Sequence, residues 1–460
     1  MGNAATGGLL DTTINNGAIV PANENPVVYM IRGIFGGYEA AFSDTKFYRL
    51  NHSYSESDLR DLWDYQLDLT QAQKKRVIYY SWELLGQRFT YKFFSNNCGY
   101  FLEDLLKYAL GKRISPRNRL YTVPSNTFFN LMETTNNGIP LVKNIARTAS
   151  RHSRLNENYA ALNKPAQAAV HNYLRTHSIA QSFDQDQQRK ITDTLTDYYS
   201  FLISKSDNED RNQEYTTKRT MLYAKRLRLK KTPSKTNQKA SSTAPHTGSR
   251  PSLVRLGLVY NSELGDGVRL RIRPVSYDLL DLDDGHVANS TLNMFNIEAT
   301  SINAQQRLTR FDLVDIKTLN ISRTGLPGDG GLGWGLRFGL ERANNSCINC
   351  LVGHLSGSGI KAMQINSKLT LYTEGELSFH SSYEGGSFRT SATIGAIAKP
   401  INVWKSQFIV GKRIAIDGDA DAESVVRWEN RFGDNPSRNF RLDINYDGTT
   451  EVQLGYGLYW

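Results

Sequence analysis

From Phe440 onward the chain alternates with a period of two, and few folds accept that pattern. Phe440, Leu442, Ile444 and Tyr446 fall on one side and Arg441, Asp443 and Asn445 on the other. Asp447-Gly448 fits a hairpin turn, after which Val452, Leu454, Tyr456, Leu458 and Trp460 alternate with Glu451, Gln453, Gly455, Gly457 and Tyr459. One face is apolar and aromatic, the other polar or small. Strand-like segments separated by Gly, Asp, Asn and Ser turns fill the chain after Leu253, and about ten to twelve of them fit before its last residue. No apolar run approaches the ~20 residues of a spanning helix, so any membrane-inserted form must be a barrel. A soluble barrel or sandwich alternates in the same way with its apolar face turned to a core, and that reading competes.

Length and charge narrow the rest. A chain of 460 residues exceeds one ordinary core, so two or three domains are expected. The net charge of +10 owes much to one run, Lys218-Arg219 followed by Lys225, Arg226, Arg228, Lys230, Lys231, Lys235 and Lys239. No aromatic stacking residues or binding motif accompany it, so no nucleic-acid partner is expected. A solvated helix end leading into a linker fits better, with anionic lipid headgroups as a second possibility. The amino terminus has neither a basic start nor an apolar stretch of the secretory type.

The segment before Leu253 mixes strand and helix signals. Val27 to Ile31 reads as a buried strand ending at Gly33, with a turn at Gly36-Gly37. Trp63, Tyr65, Leu67 and Leu69 alternate with Asp64, Gln66 and Asp68 as a one-sided strand, and Thr70 with Gln73 makes a capping-box start for a helix carrying Val77, Ile78, Trp82 and Leu85. Residues 1–124 therefore read as an α+β domain. Residues 125–231 read as helices, with apolar groups at Leu141, Val142 and Ile145 and later at Ile191, Leu195, Tyr198, Tyr199 and Leu202. Residues 232–251, rich in Thr, Ser, Lys, Pro and Gly, form a linker. Residues 252–460 form the barrel.

Within the first domain the candidate for chemistry is a thiol. Phe89, Tyr91 and Phe93 alternate with Thr90 and Lys92 as a half-buried strand; Phe101, Leu102, Leu105, Leu106 and Ala109 then recur with helical spacing, and Gly111 can close the helix. Cys98 falls in the first helical turn, where unpaired backbone N–H groups and the macrodipole favour thiolate. Asn97 can cap that helix, and the Cys98 and Gly99 amides are candidates for an oxyanion site. The competing reading is an inert small hydrophobe in a core.

Two sets of motifs resemble known families. Gln453-Leu454-Gly455-Tyr456-Gly457-Leu458-Tyr459-Trp460 resembles the carboxy-terminal β-signal of outer-membrane proteins, which favours a lipid-facing barrel over a soluble one. Gly36-Gly37-Tyr38, the run from Arg60 to Thr70, Trp82-Glu83-Leu84 and Phe93-Phe94-Ser95-Asn96-Asn97-Cys98 together resemble the Lnb N-terminal periplasmic domain family, over about Leu9 to Val123. The stretches Arg273 to Asp281 and Phe311 to Ile316 are similar to the barrel-like region that follows this domain in many members.

The resemblance implies a circularly permuted papain-like fold, as in lecithin retinol acyltransferase and NlpC-type relatives, with a strand histidine ahead of an Asn-Cys nucleophile. It also implies acyl transfer through a thioester, in which imidazole moves the proton. This sequence departs from the pattern in one respect. No Gly-His-Thr-like strand occurs in residues 1–30, and His52, the sole histidine before Cys98, lies in a polar stretch away from the family position. The missing histidine and the missing leader lead us to expect an authentic start upstream.

Other constellations are weaker. Cys347, Cys350 and His354 make half a zinc site, and a disulfide or two free thiols is the favoured reading. Asp278, Asp281, Asp283 and Asp284 lack calcium-loop spacing and read as a solvated turn. The expected fold class is α+β: a permuted papain-like domain with a helical extension, followed by an antiparallel barrel. The expected protein is an outer-membrane component with a periplasmic amino-terminal domain, without metal or cofactor. Cys98 would act on lipoprotein or phospholipid acyl groups as a transferase or hydrolase, beside outer-membrane lipids. The alternative is a non-catalytic structural, assembly or binding protein.

Overall fold

The computed structural model describes residues 8, 10–21, 24–116, 120–229, 243–381, 386–417 and 422–460. The chain divides into two compact units, Met1–Ser242 with Leu326–Gly328, and Thr243–Gly325 with Asp329–Trp460. Of the expected linker, residues 232–242 lie outside the described residues; Pro245–Thr247 form a short 3-10 turn.

In the first unit β1 (Thr12–Ile19), β2 (Tyr38–Lys46) and β4 (Arg88–Tyr91) form an antiparallel sheet in the order β1-β2-β4. Between them come α1 (Pro26–Phe35), α2 (Phe47–Asn51), a π-helical turn at His52–Ser57, β3 (Leu62–Leu67) and α3 (Gln71–Leu84). The helix α4 (Cys98–Leu110) lies on the sheet, where Phe101 packs with Ala40 and Phe42. Burial of these side chains fixes the start of α4 beside the end of β4.

The segment Val27 to Ile31, expected as a strand, is part of α1. A continuous apolar run does not distinguish buried strand from helix, whereas Pro26 suits the first helical turn and Gly36, at φ +92°, ends it with its N–H on the Arg32 carbonyl. The capping box at Thr70 and Gln73 forms as expected.

Leu141, Val142 and Ile145 are likewise not helical. After α5 (Asn126–Glu133), a hairpin of β5 (Thr135–Asn136) and β6 (Ile139–Pro140) turns at Asn137-Gly138, both with positive φ, and β7 (Val142–Thr148) pairs antiparallel with β3. That Asn-Gly pair is a hairpin signal, and the turn sends the following apolar residues into a strand. Then α6 (Arg151–Ala160), α7 (Lys164–Thr176), α8 (Gln185–Lys205) and α9 (Glu209–Leu227) are capped by Ser150, Asn163, Asp184 and Asn208. Ile191, Leu195, Tyr198 and Tyr199 fill their common core. On α9 the basic run is partly paired, Lys218 with Glu214 and, across to α8, Arg226 with Asp193; Lys230, Lys231, Lys235 and Lys239 lie outside the described residues.

The second unit is a closed barrel of twelve strands. They are β8 (Leu253–Asn261), β9 (Gly265–Arg273), β11 (Ser290–Ile302), β12 (Gln305–Thr318), β13 (Gly333–Arg342), β14 (Leu351–Asn366), β15 (Leu369–His380), β16 (Phe388–Ile401), β17 (Trp404–Ala415), β18 (Glu423–Phe432), β19 (Arg438–Tyr446) and β20 (Thr450–Tyr459). Each pairs antiparallel with the next; β9 pairs with β11, and β20 returns to β8 to close the ring. A short β10 (Val275–Tyr277) lies against the start of β11.

The two faces of the ring are inverted relative to a soluble protein. On β20 Leu454 is 55% exposed while Glu451 is 2% exposed, and on β8 the exposed Leu256 and Leu258 alternate with the buried Arg255 and Gly257 in the same way. A soluble barrel would bury the leucines. Here the interior holds ion pairs: Arg269 and Arg342 reach the two oxygens of Glu451 at 2.8 and 2.7 Å, Arg255 meets Asp443 at 3.2 Å, and Arg337 meets Asp312 at 2.6 Å. Asp278 and Asp281, expected in a solvated turn, are instead folded into this network. Asp281 accepts from Arg273 at 2.7 Å, from Arg441 at 2.8 Å and from the Tyr459 hydroxyl at 2.7 Å. Paired arginines offset the cost of burying those carboxylates.

This inversion has a measurable consequence. Leu454→Arg, on the outer face, should destabilise the refolded protein in bilayers by about 2–4 kcal/mol in denaturant titrations, whereas a substitution as drastic on a soluble β-surface would cost little.

Candidate functional site

The turn before α4 is locked by one side chain. Asn97, 1% exposed, accepts the N–H of Tyr100 at 3.1 Å through Oδ1, which caps the helix, while its Nδ2 donates to the carbonyls of Phe93 at 2.8 Å and Thr122 at 2.7 Å. One amide thereby ties the end of the β4 segment, the helix start and the chain ahead of α5. Two glycines permit the fit. A Cβ on Gly99 would lie 2.8 Å from Pro124 Cα, and one on Gly33 would sit inside the Phe93 ring at 2.2 Å. Phe93 in turn donates its N–H to the Gly33 carbonyl at 2.8 Å and packs on Tyr29 of α1.

Cys98 is the first residue of α4 and is exposed. The expectation of a thiolate-favouring site needs correction. Although the residue as a whole is exposed, the protein packed around the thiol removes enough water to push its ionisation above the ordinary thiol value of 9.0. Hydrogen bonding from the Gly99 and Cys98 N–H groups pulls the other way and does not prevail. Tyr91, one of the inward residues of β4, is pushed up to about 12 by burial and then by the neighbouring Cys98 and Tyr29 charges. The alternation of residues 89–93 placed Tyr91 on the face that adjoins the thiol, but nothing in that spacing marked it as a neighbour of the sulfur.

His52 stands elsewhere in its interactions. It opens the π-helical turn, its side chain is largely exposed, and Nδ1 lies 3.0 Å from Glu56, which Arg151 also engages at 2.7 Å. The partner of His52 is therefore Glu56 and not Cys98. Near Cys98, Glu103 of α4 is buried and accepts from Thr127 at 2.9 Å and Asn130 at 3.3 Å, which fastens α5 to α4.

The weaker cysteine pair resolves differently. Cys347 and Cys350 are free thiols in the turn between β13 and β14, with the Cys350 thiol donating to the Cys347 carbonyl at 3.4 Å. His354 does not turn toward them. It is buried in the barrel, 3.0 Å from His380. The lumen beside it encloses a cavity of about 320 Å³ lined by charged residues including Arg255, Arg271, Glu298, Lys317 and Arg337.

The comparisons with known proteins agree with these two units. Residues 2–134 match the Lnb N-terminal periplasmic domain, and residues 242–459 match a domain of unknown function (DUF7840). No curated protein matches the chain. Among solved structures, the KdgM porin is 8% identical, spans 45% of this chain and 99% of its own, and has a TM-score of 0.29. The NanC porin is 5% identical over 45% of this chain and 100% of its own, at 0.30. An outer membrane channel from Pseudomonas putida F1 is 10% identical over 46% and 95%, at 0.31. The character of the barrel rests on its own strand pairing and inverted faces. With residues 2–134 matching the Lnb N-terminal periplasmic domain and a closed twelve-stranded barrel that turns its leucines outward, the chain is an outer-membrane protein whose amino-terminal domain is periplasmic.

Proposed function

We propose that Cys98 is an acyl-accepting nucleophile and that the protein transfers or hydrolyses acyl groups of lipoproteins or phospholipids through a thioester. The observation that carries this reading is the placement of an exposed cysteine as the first residue of α4, where Asn97 fixes the backbone and the Cys98 and Gly99 N–H groups belong to the unpaired first helical turn. Donors so held can stabilise the oxyanion that forms when sulfur attacks an acyl carbonyl, and they need no reorganisation during the step. Collapse of that oxyanion breaks the ester C–O bond, the departing alkoxide takes up the proton that the thiol gave up, and the acyl group is left on sulfur as a thioester; an amine or water then attacks the thioester carbonyl and the sulfur leaves as the regenerated thiol.

The surroundings suit an apolar substrate. The helix α1, which seats Phe93 through Gly33, exposes Val28, Tyr29, Ile31 and Phe35. A run of exposed apolar side chains on one helix favours an acyl chain over a polar peptide as the group delivered to the thiol.

A specific observation favours a second reading, a binding module without catalysis. The thiol is held above its ordinary ionisation range, Tyr91 adjoins it, and His52, the histidine that precedes it in the chain, pairs with Glu56 instead. A thiol in that state reacts slowly near neutral pH unless a base takes its proton.

The first of three measurements separates the readings, and the other two test the geometry of the thiol. Incubation of the purified protein with an alkyne-tagged phospholipid should give a hydroxylamine-labile adduct that Cys98→Ser lacks; equal labelling of both proteins would refute the thioester. The alkylation rate of Cys98 should climb about tenfold per pH unit through neutrality and reach its plateau only above pH 9.0. A plateau near pH 7 would contradict the desolvated thiol and mean that a base or cation lowers its ionisation. Asn97→Ala should cost about 1 kcal/mol for the lost cap. A further cost of about 1–3 kcal/mol is expected from leaving the buried Thr122 carbonyl without its donor. The loss would be read as a lower melting temperature, and adduct formation should fall with it.

A further inference from the structure

Three polar atoms converge inside the barrel, near the end opposite Leu253 and Tyr459. His354 on β14 and His380 on β15 are cross-strand partners, and Glu341 stands on β13 two residues beyond Gly339, the partner of His354. Both histidines are buried, at 5% and 1% exposure. His354 Nδ1 lies 3.0 Å from His380 Nε2 and 3.0 Å from Glu341 Oε1, and His380 Nε2 lies 3.2 Å from the same oxygen. The three atoms form a nearly equilateral triangle.

Protons alone do not satisfy that triangle. Each imidazole nitrogen facing it carries at most one hydrogen. If both donate to Glu341 Oε1, two N–H groups confront each other at 3.0 Å. If one nitrogen instead accepts from the other, its lone pair faces a carboxylate oxygen. At most two of the three contacts are attractive in any assignment. A cation at the centre makes all three favourable. Bonds of 2.0–2.1 Å to nitrogen and oxygen place neighbouring donors about 3.3 Å apart in a tetrahedral shell and about 2.9 Å apart in an octahedral one. The observed spacing falls between those limits.

We propose that Glu341, His354 and His380 form a site for a divalent transition cation of the zinc class. Two imidazoles and one carboxylate suit such ions better than calcium or magnesium, which prefer oxygen. The ligands are oriented from outside: His354 Nε2 meets Ser356 Oγ at 3.2 Å, and Arg337 takes the other oxygen of Glu341 at 2.6 Å while Asp312 holds Arg337. Glu341 and Ser356 line the lumen cavity, so the remaining coordination position opens to water or a small ligand there. The bound ion ties β13, β14 and β15 together at one mouth of the barrel. Cys347 and Cys350, close by in sequence, are not among the converging donors.

The test uses the full chain folded in detergent with Cys98, Cys347 and Cys350 replaced by Ser, which removes thiol ligands and makes the result independent of acyl chemistry at Cys98. Titration with cobalt(II) should give the visible bands of a low-coordinate nitrogen and oxygen site, displaced by zinc in equal amount. His354→Gln and Glu341→Gln should each weaken binding by about 100-fold or more, beyond the range expected for loss of an outer-shell partner. His286→Gln, elsewhere in the same unit, should leave it unchanged. Heat-modifiable gel mobility reports whether each variant has folded. Absence of cobalt bands from the folded parent overturns the proposal whatever the variants do, and so does binding that survives His354→Gln.

Discussion

The inverted distribution of charge and hydrocarbon around the twelve-stranded ring is the constraint on which the rest of the second unit depends. A row of leucines, valines and aromatics faces outward, while arginines and carboxylates are sealed inside, so the barrel is stable only where hydrocarbon replaces water on its outer face. The interior carboxylates are not isolated charges. Glu451 is shared by Arg269 and Arg342, and Asp281 by Arg273, Arg441 and Tyr459, so each buried anion has several donors. Removing one partner would strand the others in a low-dielectric space, which is why such networks specify one arrangement of strands.

In the first unit an analogous economy of contacts rests on Asn97. Its amide caps α4 and holds two carbonyls from separate segments, so the position of the Cys98 sulfur is set by a buried side chain rather than by a mobile loop. The same packing that fixes the thiol also dries it. Position and ionisation therefore pull in different directions: the geometry suits attack on an acyl carbonyl, while the desolvation favours the neutral thiol until a base acts on it.

Much of this was legible in the residues. The period of two from Phe440 to Trp460 fixed which side chains face out, and the Asn97, Cys98 and Gly111 pattern placed α4 to the residue. Local signals failed where the deciding partner is distant. Val27 to Ile31 is apolar enough for strand or helix, and Pro26 and Gly36 settled it. The turn at Asn137-Gly138 carried a hairpin signal that helical periodicity further along obscured. Asp278 and Asp281 look like a solvated acidic turn until Arg273, Arg441 and Tyr459 are brought to them by strand register. Cys347, Cys350 and His354 are neighbours in sequence, yet alternation along β14 sends His354 inward to His380 and Glu341, residues too far along the chain for spacing to connect.

The central claim, that the ring presents hydrocarbon outward and charge inward, is tested most directly by spin labels placed one residue at a time along β20 in lipid vesicles. Successive substitutions of Val452, Gln453, Leu454, Gly455, Tyr456 and Gly457 by Cys, in a background where Cys98, Cys347 and Cys350 are Ser, sample both faces. Collision with oxygen dissolved in the bilayer should be high at Val452, Leu454 and Tyr456 and low at Gln453, Gly455 and Gly457. The opposite phase, or no alternation at all, would contradict the inverted barrel and return these strands to a soluble fold.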